Sequence, residues 1–143
     1  MSSVEKQSFL ELKRLCFEEI QYTRNGDKDS SNSEYEMNFN RVIGVYEDGK
    51  RFKVTLTANV WSKGDEDVTL KVKLSGYFIC DCEDERIKKS LITENAVAIL
   101  FPYLRSQISL ITTQPDISPI VLPPINILSL FRNEAEDSAK KSK

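Results

Sequence analysis

The sequence of 143 residues contains no histidine. Histidine is the usual general base near neutral pH and the commonest side-chain ligand for transition metals, so its absence argues against an acid–base enzyme and a typical metal centre. The three cysteines are an odd number, which fits a reducing compartment better than a disulfide framework. Cys16 is expected to be a buried small apolar residue, and Cys80 and Cys82 lack the second pair of ligands that a zinc site needs. We therefore expect no catalytic residue, no metal and no cofactor.

The chain also lacks a strong excess of charge of either sign and any long apolar run. The formal net charge is −2, so charge alone does not favour binding to nucleic acid. The first apolar cluster is short and mixed with charged residues, which predicts neither a signal peptide nor insertion into a membrane. A cytoplasmic location is the expectation that follows. The acidic residues Asp81, Glu83 and Asp84 are expected to be a solvated surface rather than a catalytic pair of carboxylates.

Three runs in the middle of the chain alternate apolar and polar residues, as half-buried strands do. They cover residues 35–39, 52–60 and 68–78. Glu47–Lys50 contains an Asp-Gly pair that predicts a tight hairpin, and Lys63–Asp65 predicts a second turn. One apolar side and one polar side indicate an antiparallel sheet with a single well-buried face.

The run from residue 8 to residue 22 fits two structures. Ser8 and Glu11 form a capping-box pattern at the start of apolar residues with roughly helical spacing. The same run contains the pairs Leu10/Leu12, Leu15/Phe17 and Ile20/Tyr22, which a strand interrupted by bulges would produce. The residues alone leave both structures open.

From Asp84 the chain changes to a helical period. Glu94–Thr113 carries a wide apolar stripe, and Pro102 inside it predicts a kink or the effective start of the helix. Four further prolines predict an extended arm, and Asn126 is placed to cap a second, short helix. A sheet followed by helices predicts an α+β domain with helices on one face. The excess apolar surface of the long helix favours self-association, most simply as a symmetric dimer, and residues 132–143 form a charged tail that is expected to be disordered.

Several motifs in this order resemble the SecB-type protein-export chaperones. The most specific is Ile99–Ser106, which reads Ile-Leu-Phe-Pro-Tyr-Leu-Arg-Ser. Leu122–Ile127 reads Leu-Pro-Pro-Ile-Asn-Ile and is followed by the apolar pair Leu130-Phe131. Upstream, Gly76–Phe78 resembles the end of the last strand of that family, and Phe17–Ile20 resembles its first strand. The resemblance extends over Phe9–Phe131 and is strongest in the last third.

The resemblance implies a fold and an activity. The implied fold is a four-stranded antiparallel sheet backed by one long helix and a short C-terminal helix, within a single domain over residues 1–131, and it makes the first run a strand. The implied assembly is a dimer of dimers. The implied activity is to hold unfolded polypeptides in apolar grooves without ATP, and export members of the family deliver such clients to the SecA motor.

The resemblance also places candidate binding residues, for some of which core packing is the alternative interpretation. Those that it assigns to the client groove are Tyr35, Met37, Phe39, Ile127, Leu130 and Phe131. Glu19 matches an acidic position of the surface that docks SecA, but Thr23 and Lys71 stand where further acids are expected. Replacing an acid by lysine reverses the local charge, which counts against docking of the motor. Some SecB-like chains instead serve antitoxins, so a dedicated chaperone without SecA docking is the alternative function.

Overall fold

Four antiparallel strands form one sheet, and a continuous helix of 27 residues packs on one of its faces. A computed structural model describes residues 9–27, 29, 32–64 and 67–122. The order of the strands in the sheet is β1-β4-β3-β2. The strands are β1 (Phe9–Arg24), β2 (Tyr35–Val45), β3 (Arg51–Ser62) and β4 (Val68–Asp81). The predicted α+β class and the four-stranded antiparallel sheet are confirmed.

Strand β1 settles the question that its sequence left open. Its register against β4 shifts twice, between Leu12 and Arg14 and between Phe17 and Glu19. Each shift inserts one extra residue, so the apolar residues before and after it return to the same face of the sheet. The first run is therefore a strand with two bulges, and the helical alternative is wrong from Phe9 onward.

The hairpin between β2 and β3 forms where the Asp-Gly pair predicted it. Gly49 has a φ of 68°, a value that residues with a side chain rarely adopt. The Asp48 carboxylate accepts hydrogen bonds from the backbone N–H groups of Lys50 and Arg51, each at 3.0 Å. Its other oxygen accepts a bond of 2.7 Å from Arg51 Nε. These bonds close the turn and fix how the two strands pair.

The helix begins at Glu85, directly after Asp84, from which the sequence changes to a helical period. It consists of α1 (Glu85–Ser90), a π-helical turn (Leu91–Asn95) and α2 (Ala96–Ile111). Asp84 caps its start by accepting from the N–H groups of Arg86 and Ile87 at 2.9 and 3.3 Å. The first segment, α1, has no buried residue, whereas Ile92 of the irregular turn is buried and α2 after it carries the buried face of the helix.

Pro102 lies inside α2, so the prediction that it marks the start of the helix is wrong. Proline has no N–H to donate to the carbonyl of Ala98, four residues earlier. Both residues are exposed, so water can satisfy that carbonyl, and the helix continues to Ile111. A separate irregularity, the π-helical turn, lies before Ala96.

The core lies between the sheet and the helix. From α2 it contains Val97, Leu100, Phe101, Leu104 and Ile108, and from the sheet it contains alternate residues of β3 and β4. Cys16 was expected to be buried, but it is only half-buried because its partner in register, Ser75, places it on the opposite face. After the helix, Ile117, Ile120 and Leu122 extend the core. The predicted short helix after Asn126 and the predicted tail lie outside the described residues.

Candidate peptide-binding site

Strand β2 forms one edge of the sheet, and no described strand lies on its outer side. It pairs with β3 from Tyr35 opposite Ser62 to Val45 opposite Phe52 without a shift of register. Strand β1, at the other edge, is interrupted by two bulges. An uninterrupted edge presents a regular row of N–H and C=O groups, which is a template for another extended chain. Of the two edges, β2 is therefore better suited to pair with a peptide.

The odd-numbered residues of β2 direct both backbone polar groups away from β3. The N–H of Tyr46 donates to the carbonyl of Arg51 at 3.0 Å. At the other end, the N–H of Lys63 donates to the carbonyl of Glu34 at 2.8 Å. Residues in an antiparallel ladder alternate between those that bond to a given neighbouring strand and those that do not, so the even-numbered residues of β2 bond to β3. The residues with outward backbone groups, called the outward set below, are Tyr35, Met37, Phe39, Arg41, Ile43 and Val45.

The side chains of the outward set lie on the same face of the sheet as the helix. Directly opposite residues in an antiparallel ladder share a face, and the partners of the set on β3 include the core residues Val54, Leu56, Ala58 and Val60. The ring centroid of Phe39 is 5.8 Å from that of Phe101 on α2. Val45 is 64% exposed. Each residue of the outward set thus directs its backbone groups to the edge, and the apolar members add half-buried or exposed side chains on the helix side.

Arg41 holds the middle of β2 against the helix. Its guanidinium donates a hydrogen bond of 2.7 Å to the carbonyl of Thr93, in the π-helical turn. A charge on an edge strand can discourage pairing with another chain, but this one is directed into the protein and hydrogen-bonded. The backbone of the edge stays regular on both sides of Arg41.

A cavity of about 470 Å³ opens at the Val45 end of β2, between the hairpin and the helix. Lys88 and Lys89 lie at this cavity, together with Glu85. The Lys88 ammonium donates to the carbonyl of Gly49 at 2.6 Å and lies 5.5 Å from the centroid of the Phe52 ring. The apolar residues that line the cavity are Ile43, Val45, Phe52 and Ile92. Such a cavity fits an apolar side chain that projects from a segment paired with β2.

Two phenol groups lie at the other end of β2. The hydroxyl oxygens of Tyr22 and Tyr35 are buried and have no hydrogen-bond partner within the part of the chain that is described. Burial, followed by the neighbouring Tyr22, raises the pKa of Tyr35, so this phenol remains neutral at physiological pH.

The structure places three of the six residues predicted for the client groove next to one another on β2. Tyr35, Met37 and Phe39 are consecutive members of the outward set. Ile127, Leu130 and Phe131 lie outside the described residues. Glu19 lies on the opposite face of the sheet, where its carboxylate is 3.3 Å from the Lys71 ammonium. Assignment of these residues to client binding or to docking remains a prediction.

Sequence reasoning missed the cavity at the Val45 end. The alternation that identified Tyr35, Met37 and Phe39 continues to Ile43 and Val45, so it could have extended the edge to the hairpin. The contribution of Ile92 depends on the π-helical turn, which has no comparable signal in the sequence.

The described residues show no alternative chemistry at this edge. They contain no group of three or more histidine, cysteine, aspartate or glutamate side chains that could hold a metal ion. Cys80 is buried in the core, and burial raises the pKa of its thiol. A search of the described helices found none that is long and apolar enough to span a membrane.

The fold is that of the SecB-like chaperones. It is similar to the SecB-like chaperone of Mycobacterium tuberculosis, solved in complex with a ChAD peptide from the HigA1 antitoxin. The TM-score is 0.67 at 11% sequence identity, and the match covers 87% of this chain and 92% of that one. An identity this low shows a shared fold and nothing further.

The chain belongs to the SecB family. The family model for the preprotein translocase subunit SecB matches residues 6–138. Protein-export protein SecB of Neisseria meningitidis serogroup B is 30% identical over 109 residues, which cover 74% of each chain. An uncharacterized protein of Methanocaldococcus jannaschii is 42% identical, and SecB of Aromatoleum aromaticum is 36% identical. The chain spans about half the length of these last two relatives, 44% and 53% respectively.

Proposed function

We propose that this protein is an ATP-independent holding chaperone that binds extended segments of unfolded polypeptides along β2. The observation that carries the proposal is the double role of the outward set, in which outward-directed backbone groups recur along the strand with apolar side chains beside them at Tyr35, Met37, Phe39, Ile43 and Val45. Backbone pairing tolerates any sequence, and apolar contact favours the segments that an unfolded client exposes. Residues of this kind, especially Met37 and Phe39, repack around different partners. We place this activity in the cytoplasm, where the clients of the family are made.

The affinity is proposed to come mainly from apolar burial. Covering apolar surface contributes about 25 cal/mol per Å² removed from water, against the cost of ordering the client segment. Each backbone hydrogen bond adds about 0.5–1.5 kcal/mol net. Several weak contributions along an edge of eleven residues give a binding site that holds many sequences and releases them without ATP.

Substitutions at Ile43 test the backbone part of this proposal. Ile43→Pro removes an outward N–H and places a ring at the edge, but it leaves the bonds between β2 and β3 in place. Ile43→Ala is the matched control, because it shortens the side chain and keeps the N–H. We expect the proline variant to bind a reduced, permanently unfolded test protein about 2- to 10-fold more weakly than the alanine variant, the value of one hydrogen bond. Equal affinities of the two variants in a fluorescence titration would count against pairing at this edge.

A second candidate is a dedicated chaperone for one partner, such as an antitoxin, without docking to SecA. The ion pair between Glu19 and Lys71 favours it, because Glu19 already has a cationic neighbour and Lys71 repels a cationic docking segment. The structural neighbour from M. tuberculosis holds an antitoxin peptide, which shows that this fold can serve such a partner. A general holding chaperone captures several unrelated unfolded proteins, whereas a dedicated one captures a single sequence. Binding of SecA with micromolar affinity or better would refute the second candidate.

We also propose assembly as a dimer of dimers. The side of α2 turned away from the sheet exposes Tyr103 and Leu110, and the half-buried Arg105 lines a cavity of about 490 Å³ there. Apolar side chains on an outer helix face are typical of surfaces that are covered by another subunit. Light scattering after size exclusion is expected to give the mass of four chains. A mass of one chain at micromolar concentration would refute the assembly while leaving the β2 edge available.

A further inference from the structure

The face of the sheet turned away from the helix carries a row of charged side chains, two of which stack on one aromatic ring. In register, Arg14 lies opposite Tyr77, and Tyr77 lies opposite Lys53. Glu19 lies opposite Lys73, one residue from the second bulge of β1. We call this set the open-face cluster, and its members are Arg14, Glu18, Glu19, Lys53, Lys71, Lys73 and Tyr77.

The two carboxylates of the open-face cluster are already engaged. Glu18 lies 3.0 Å from the Lys53 ammonium, and hydrogen bonds from Ser75 and then Lys53 lower the pKa of this carboxyl group. Glu19 lies 3.3 Å from the Lys71 ammonium. Each carboxylate is therefore compensated by a lysine of the sheet rather than being free for a cationic partner.

The cations outnumber the carboxylates. Four cationic side chains of the cluster stand against its two carboxylates and that of Glu36, which lies on the same face opposite Trp61, so one positive charge is left over. The Arg14 guanidinium lies 4.2 Å from the centroid of the Tyr77 ring, and the Lys53 ammonium lies 5.5 Å from it. Stacking on one ring holds these two cations close together despite their repulsion. Lys73 makes no ion pair within the described residues.

A cavity of about 320 Å³ adjoins the open-face cluster. Trp61 and Lys71 both line it, so an aromatic wall and a cation face the same space. Trp61 is held in place by a hydrogen bond of 3.0 Å from its indole N–H to Glu36. The remaining lining is polar and comes from Gln21, Thr23, Asn59 and Thr69 together with parts of Val60 and Leu70. The cavity fits one bulky side chain next to a negative charge.

We propose that the open face docks an acidic, extended segment of a partner protein. Its carboxylates lie over Lys71, Lys73 and Lys53, and a neighbouring bulky side chain enters the cavity beside Trp61. This surface lies on the opposite side of the sheet from the helix and the groove, so it can be occupied while the β2 edge holds a client. It goes beyond the proposed holding function and does not depend on it.

Binding of two labelled peptides to the full-length protein tests the proposal. One peptide is rich in glutamate with a single central leucine, and the other has lysine at every glutamate position. We expect the acidic peptide to bind in fluorescence anisotropy, with an affinity that falls as salt is added, and to change the fluorescence of Trp61, the one tryptophan of the chain. The double variant Lys71→Glu/Lys73→Glu is expected to bind it about tenfold more weakly, since two exposed attractions become repulsions.

Two matched variants complete the test. Lys71→Arg/Lys73→Arg keeps the charge and is expected to retain the affinity for the acidic peptide. Lys50→Glu makes the same change of charge at the exposed hairpin and is expected to have little effect.

Equal binding of both peptides, stronger binding of the lysine peptide, or equal losses in the Lys50 and Lys71/Lys73 variants would overturn the proposal. A single-stranded oligonucleotide that binds as tightly as the acidic peptide would overturn it too, since that result indicates a general polyanion surface. The Lys71→Glu/Lys73→Glu variant is also expected to capture unfolded protein as well as the natural chain does. That result would show that the open face and the β2 edge bind independently.

Discussion

Gly76 lies where the sheet and the helix approach each other most closely among the described glycines. A Cβ atom built on this residue would lie 2.5 Å from Leu100 Cδ2 and 2.8 Å from the ring of Phe78. Leu100 is fully buried on α2, so it has little room to move. The glycine is required here by close packing rather than by its backbone conformation.

Gly76→Ala is therefore expected to lower the free energy of unfolding by about 1–3 kcal/mol, the usual cost of overpacking a core. Gly26→Ala is the matched control, because nothing lies within 4 Å of a Cβ atom at that position. Urea denaturation followed by circular dichroism measures both. Similar stabilities for the two variants would contradict the packing described between Gly76 and α2.

Residue patterns predicted which face of the sheet most side chains occupy. The alternation in β2, β3 and β4 correctly separated the core residues from the open face because a strand has a period of two. Cys16 was misplaced because its orientation depends on the bulge between Leu12 and Arg14. The ion pairs of Glu18 and Glu19 could not be predicted, since they join strands whose register is set by distant residues.

At the scale of elements, the hairpin between β2 and β3 determines the register of the edge strand. Its Asp48 carboxylate is an acceptor for three donors, and backbone N–H groups contribute most to its low pKa of about 2, against an ordinary value of 3.8. The group is ionised in both the folded and the unfolded chain above the ordinary value, where its stabilising effect is complete. As the pH falls towards 2 the unfolded chain takes up the proton first, and the stabilisation is lost.

Asp48→Asn is expected to be less stable than the natural chain at neutral pH, and this difference is expected to shrink between about pH 4 and about pH 2. Thermal unfolding across that range provides the measurement. Glu47→Gln removes a charge from the neighbouring exposed residue and serves as the control. A difference that stays constant or grows as the pH falls would show that the Asp48 charge does not stabilise the turn.

The elements themselves were predicted unevenly. Asp-Gly at the hairpin and the acidic residues before the helix are local signals, so both boundaries were recognised near their true positions. The wide apolar stripe was recognised only over Glu94–Thr113, because the residues of the π-helical turn interrupt the helical period inside the continuous helix. Pro102 was over-interpreted, since an exposed proline in a helix leaves only a solvated carbonyl without its usual partner.

At the scale of the whole molecule, the sheet separates two different surfaces. The side that faces the helix combines a regular strand edge with apolar side chains and is proposed to hold unfolded clients. The open side carries the open-face cluster and is proposed to bind an acidic partner. The motifs around Phe101-Pro102-Tyr103 were sufficient to predict the family, and the alternation within the strands predicted the single buried face that the helix covers. They could not reveal the charge of the open face, which depends on residues from three strands.

Residue-resolved hydrogen exchange by NMR tests the central claim most directly. Even-numbered amides of β2 are already bonded to β3, whereas the amides of Tyr35, Met37, Phe39, Arg41, Ile43 and Val45 point outward. When a saturating, permanently unfolded test protein is added, we predict slower exchange at the outward amides and little change at the even-numbered ones. A client that binds without slowing exchange at the outward amides would show that it is held elsewhere on the protein and would contradict binding along β2.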